Sequence, residues 1–154
     1  AFAPDTFKVG VTRSWRLRTR LREQGADRGA HLQTAPDGKV ARQIEADIAT
    51  EVGDRVRVPT KIRGLGQRVA EDAWRDLLAD FDPIEICSFE YGLTLADRPM
   101  AETLASGTVR GTKGRVLVLD RAGSTYAVDL RNLVGHVLTE RDDRALQASF
   151  GAFE

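Results

Sequence analysis

The sequence predicts an α+β fold, and three observations carry that expectation. The first half mixes short apolar runs with helical segments whose apolar side chains recur every three or four positions. Beyond Pro83 the period changes to two, and β-branched and aromatic residues take over. The halves also differ in charge: residues 1–68 carry 14 Lys and Arg against 8 Asp and Glu, whereas residues 69–154 carry 9 against 15. That asymmetry turns the first half toward a polyanion, although the whole chain is formally neutral.

Ala1-Phe2-Ala3 reads as the end of a strand, so the chain reads as a piece of a longer one, with any upstream targeting signal left open. Pro4-Asp5-Thr6 then turns into a second strand over residues 7–11, with Phe7, Val9 and Val11 on its buried face. Gly10 lets the backbone of that strand come close to a ligand. Ser14 suits a helix N-cap, giving a helix over residues 15–24 with Gly25 as its stop. Residues 31–34 make a short strand, and Ala35-Pro36-Asp37-Gly38 a turn. A second helix spans residues 39–51, with Val40, Ile44 and Ile48 on one face and Gly53 at its end. Residues 54–66 are polar and basic, contain Pro59, and read as an ordered loop. A third helix over residues 70–80 carries the stripe Trp74, Leu77, Leu78 and Phe81.

Residues 84–91 alternate cleanly and end at Gly92, while residues 94–105 are ambiguous. Strands at 107–111, 115–120 and 125–130, with a turn at Ala122-Gly123-Ser124, form an antiparallel meander. Residues 133–138 suit one more strand, and the last dozen residues pack back or fray. The chain thus divides into residues 1–66, a connecting helix over 67–82, and a small antiparallel β unit over 83–154.

Composition removes several classes. A single cysteine, Cys87, supports neither a disulfide framework nor a cysteine-based zinc site, and its place in a strand marks it as core. His31 and His136 stand far apart with no third ligand nearby. Gly107, Gly111 and Gly114 precede a strand rather than a helix, so they serve turns and do not form a P-loop. No apolar run approaches a membrane span, and a cytoplasmic protein without a membrane partner is expected. What remains is cationic. Arg13, Arg16, Arg18, Arg20 and Arg22 fall within ten positions, and Arg55, Arg57 and Lys61 extend the positive face. The expected partner is nucleic acid, DNA or RNA; the competing reading is a solvated helix face.

Lys8-Val9-Gly10-Val11-Thr12, Arg20-Leu21 followed by Gln24, and the run Ala41-Arg42-Gln43-Ile44-Glu45-Ala46-Asp47-Ile48 together resemble the GIY-YIG nuclease fold over about residues 1–63. The first stretch sits where the second tripeptide motif would be, and the first motif would precede Ala1. The resemblance implies that Arg20 holds the scissile phosphate and that Glu45 binds Mg²⁺. Lys8 stands where a tyrosine is usual, as phosphate contact or, with a lowered pKa, as base. A wider set of matches resembles domain-of-unknown-function family 2797, whose members look like divergent GIY-YIG proteins. It comprises residues 8–13, Thr19-Arg20-Leu21 running into Gln24-Gly25-Ala26, Asp54-Arg55-Val56, Gly111-Thr112-Lys113-Gly114 and Val128-Asp129-Leu130-Arg131. The function expected from these resemblances is a Mg²⁺-dependent GIY-YIG-like phosphodiesterase. The alternative is a non-catalytic nucleic-acid-binding module on the same fold.

Overall fold

A computed structural model describes residues 1–139, and the fold is α+β: four α-helices and two small sheets. Its best-buried element is strand β5 (Val116–Arg121), which is apolar on both faces. β5 lies between β4 (Thr108–Lys113) and β6 (Ser124–Asp129), antiparallel to both, as the alternation predicts. The β5–β6 hairpin closes on Ala122 and Gly123, both at positive φ, the two-residue turn whose twist matches that of paired strands. β3 (Met100–Glu102) adds to β6 in parallel, giving the order β3-β6-β5-β4. One face of this sheet buries Val116, Val118 and Ala127 against helix α3 (Val58–Arg63) through Val58 and Ile62. The opposite face buries Leu117, Leu119 and Val128 beneath Leu130 and Leu133.

The first half is built around β1 (Arg28–His31), paired antiparallel with β2 (Glu85–Ser88). Helix α1 (Leu17–Glu23), preceded by a 3-10 turn at Ser14–Arg16, crosses beside β1. Gly29 makes this approach possible, since a Cβ there would collide with the Leu21 side chain. Helix α2 (Gly38–Val52) is bracketed by its own chemistry. Asp37 accepts from the backbone N–H groups of Lys39 (2.7 Å) and Val40 (2.9 Å), and Gly53 at φ 84° ends the helix. Helix α4 (Glu71–Leu78) packs Trp74 on Ala3 and Val69, and an Arg28–Glu71 ion pair ties it to β1.

Several expectations need correction. Residues 7–11 join no strand ladder: Val9 N–H donates to the Gly53 carbonyl at 2.9 Å, and no neighbouring strand runs alongside. Ser14 does not cap; it opens the 3-10 turn, and Arg13 holds the N-cap position without a side-chain bond. The strand expected at 31–34 sits at Arg28–His31, in register with β2. Residues 54–66 are not a loop throughout, because α3 forms there with Pro59 in its first turn, where a missing N–H costs nothing. Residues 133–138 form no strand; a 3-10 turn over Leu130–Leu133 leads into irregular chain. The expectation for the last dozen residues lies outside the described residues.

The two halves meet at a dense joint. Tyr91 Oη donates to the Ala26 carbonyl at 2.8 Å, and burial pushes its pKa up. Asp27 accepts from the Ala3 N–H (2.9 Å) and from Lys113 Nζ (2.6 Å), with both side chains largely shielded from solvent. Beside them Gly114, in the β4–β5 turn, touches the end of α1 backbone to backbone: a Cβ on it would lie 2.5 Å from Gly25 N.

Candidate functional site

The space between α1, α2, α4 and the 7–13 segment is a groove of about 900 Å³. Its origin is in the sequence. α2 carries Ile44, Ile48 and Val52 on one face, α4 carries Leu77 and Leu78, and α1 contributes Leu21. These apolar stripes point toward one another without closing, and no residue of α2 is buried. The floor is therefore apolar, with Phe7 against Trp74 at 6.3 Å between ring centroids.

Charge sits on the groove wall. Lys8, Arg20 and Glu45, which lie far apart in sequence, all line it. Lys8 and Glu45 meet at Gly10: a Cβ there would lie 3.8 Å from Lys8 Nζ and 3.9 Å from a Glu45 carboxylate oxygen, in ordinary contact with both. Lys8 Nζ donates to the Asp54 carbonyl at 3.0 Å. Burial lowers the Lys8 pKa and Arg20 lowers it further, while Asp54 and Glu45 work against the shift. Arg20 reaches back to Glu23 at 3.3 Å, yet its side chain remains 53% exposed, so this pair is weak and easily exchanged for a ligand.

The other cations divide. Arg13 lines the groove; Arg16, Arg18, Arg22, Arg55, Arg57 and Lys61 do not. Arg16 pairs with Glu23 at 3.1 Å and Arg18 with Glu85 at 2.6 Å, which fastens α1 to β2. Arg22 lies over the Tyr91 ring at 5.3 Å. Arg55 leans toward Asp54 at 3.7 Å, and the Arg57 carbonyl begins α3. Lys61 is not a surface cation. Its ammonium donates to the Gln24 carbonyl at 2.7 Å over the Phe2 ring, and burial, with repulsion from Lys8, Arg115 and Lys113, pushes its pKa down to about 8.

Sequence reasoning passes over Arg42, Trp15 and His31 as site residues, yet all three line the groove. Trp15 carries a signal: it is an aromatic flanked by Arg13, Arg16 and Arg18 at the entry to an arginine-rich helix. His31 is held by Thr34 and Gln33 at 3.2 Å each, an arrangement that orients the ring without a metal. Cys87 is buried against Gly29, as expected of a core thiol, and burial raises its pKa. Among the described residues no three His, Cys, Asp or Glu side chains gather as a metal site, and no helix is long and apolar enough to cross a membrane.

The molecule is thus an α+β protein with an apolar-floored, cation-walled groove in its first half. By sequence, residues 1–138 match the family described as Protein of unknown function (DUF2797), and the chain belongs to that family. No curated protein and no solved structure matches it.

Proposed function

We propose that this protein acts on nucleic acid through the groove, as a GIY-YIG-like phosphodiesterase. The observation that carries the reading is that Lys8, Arg20 and Glu45 line one groove, with Lys8 and Glu45 meeting at Gly10. Two cations and a carboxylate lining one groove suit a phosphodiester. A guanidinium offers the phosphoryl oxygens a bidentate fork, and an ammonium adds a second charge. In hydrolysis, water adds to phosphorus, the ester P–O bond breaks, and the proton lost by the water is returned to the leaving oxygen. Lys8, its pKa depressed by burial, contacts the phosphate or accepts that proton.

The donor set also bears on Mg²⁺. This ion typically binds through one or two carboxylates plus substrate phosphates and retains several waters, so the Glu45 carboxylate fits a metal that arrives with the substrate. When bound, it would neutralise charge on the phosphoryl oxygens. The second reading, a non-catalytic binding module, is favoured by Lys8 standing where the GIY-YIG resemblance has a tyrosine.

Two substitutions separate these readings. Glu45→Gln keeps shape and helix propensity but removes the charge. Cleavage of labelled DNA or RNA in Mg²⁺ is expected to fall about a hundredfold or more, with binding retained. Arg20→Lys is expected to cut cleavage as well, since a point charge does not replace a fork. Binding without cleavage under any divalent metal would establish the module; cleavage surviving Glu45→Gln would move the active site elsewhere.

A further inference from the structure

Trp15 is 74% exposed, an unusual position for an indole, and it stands at the lip of the groove. The Arg16 guanidinium lies 5.8 Å from its ring centroid, and Arg16 is itself held by Glu23. The cation supports the ring, which stays presented to solvent. Behind Trp15 the groove walls carry four cationic side chains, Lys8, Arg13, Arg20 and Arg42, against two carboxylates, Asp37 and Glu45. Asp37 is held at the α2 N-terminus by its two backbone N–H bonds, so it is not free to turn toward a ligand. Below them the floor is apolar, through Leu21, Ile48 and Leu77.

Aromatic lip, cationic wall and apolar floor are three different demands on a ligand. A duplex meets only the second, because its base faces are stacked inside and are not offered to an indole or an apolar floor. An unpaired nucleotide meets all three: its phosphate lies on the cations, one base stacks on the indole, and a neighbouring base face covers the apolar floor. We propose that the groove takes single-stranded nucleic acid, with Trp15 as the stacking platform that selects unpaired bases. This inference rests on the nucleic-acid reading above and specifies its substrate class.

The test uses the full chain and three probes of about a dozen nucleotides: a pyrimidine single strand, the same backbone made abasic, and a duplex. The single strand is expected to bind roughly five- to a hundredfold more tightly than the abasic strand, and to quench the exposed-indole emission. Trp15→Ala should lower single-strand affinity several-fold more than abasic affinity, leaving only the part of the preference that the base on the apolar floor supplies, and Trp15→Phe should restore part of the loss. Because Trp15 is exposed, neither variant endangers the fold, and the retained Trp74 reports that the core is intact. If all three probes bind with equal, salt-dependent affinity and Trp15→Ala changes nothing, the stacking platform is refuted while the nucleic-acid reading stands. A preference for duplex refutes it likewise. If no probe binds at low salt, both readings fall.

Discussion

Lys61 illustrates how far a residue's role departs from its type. A lysine in a basic stretch reads as a solvent cation, but here it closes the C-terminal end of α1 and is partly desolvated, with a pKa near 8. Nothing in the local sequence announces this, because its partners, the Phe2 ring and the Gln24 carbonyl, lie far from it along the chain. Below about pH 8 the folded protein holds a charged Lys61 at a desolvation cost. Between 8 and its ordinary 10.5 the unfolded chain binds more protons, so stability rises with pH. Tyr91 acts oppositely above its ordinary value of 10, because burial favours its neutral form. Comparing Lys61→Met with the wild type cancels the tyrosine. Urea unfolding is expected to show the wild type gaining about 1–2 kcal/mol relative to the variant from pH 8 to 10, well under the full shift because the ammonium keeps part of its hydration. A flat difference across that window would mean that Lys61 titrates as an exposed lysine.

At the scale of elements, legibility follows locality. α2 is readable almost to its ends, because the Asp37 cap, the four-residue spacing and Gly53 are all written within the helix or beside it. The meander is readable for the same reason: its strands pair with their neighbours across tight turns. α3 is hidden by its charge and by Pro59, although Val58 and Ile62 lie one turn apart. β3 is invisible, since its partner β6 lies more than twenty residues downstream and pairs in parallel. The same distinction separates two glycines of the meander. Gly123 has φ 79° with nothing within 4 Å of a Cβ, whereas Gly114 has φ 56° and meets the α1 end. Gly123→Ala should cost about 1–2 kcal/mol, the conformational penalty alone. Gly114→Ala should cost at least about 2 kcal/mol more in the same denaturant titration, because backbone on both sides must separate. Equal costs would show that the joint yields freely.

For the molecule as a whole, the surplus of basic charge in the first half is visible in composition, but not which cations are available. Five arginines crowd one segment; carboxylates of α1 and β2 pair with Arg16, Arg18 and Arg20, and of the five only Arg13 and Arg20 line the groove. The salt dependence of binding should follow this division. Arg13→Ala with Arg20→Ala should flatten the slope of log K against log salt by about one unit for each phosphate no longer neutralised. Arg16→Ala with Arg18→Ala should change it by less than about half a unit. A larger effect from the second pair would place the polyanion outside the groove. The apolar face of α2 carries one more consequence. A 15-residue helix with no buried residue lacks the packing from which helices in proteins draw most of their stability. Its amide hydrogens should therefore exchange with deuterium sooner than those of β5, whose side chains are enclosed on both faces. Whatever fills the groove becomes the missing packing partner, so occupancy should slow exchange along α2 first and leave β5 unchanged. Mass spectrometry of the exchanging chain would read this directly, and an α2 as protected as β5 in the free protein would overturn it. The helix that helps to form the site would then also register that the site is filled.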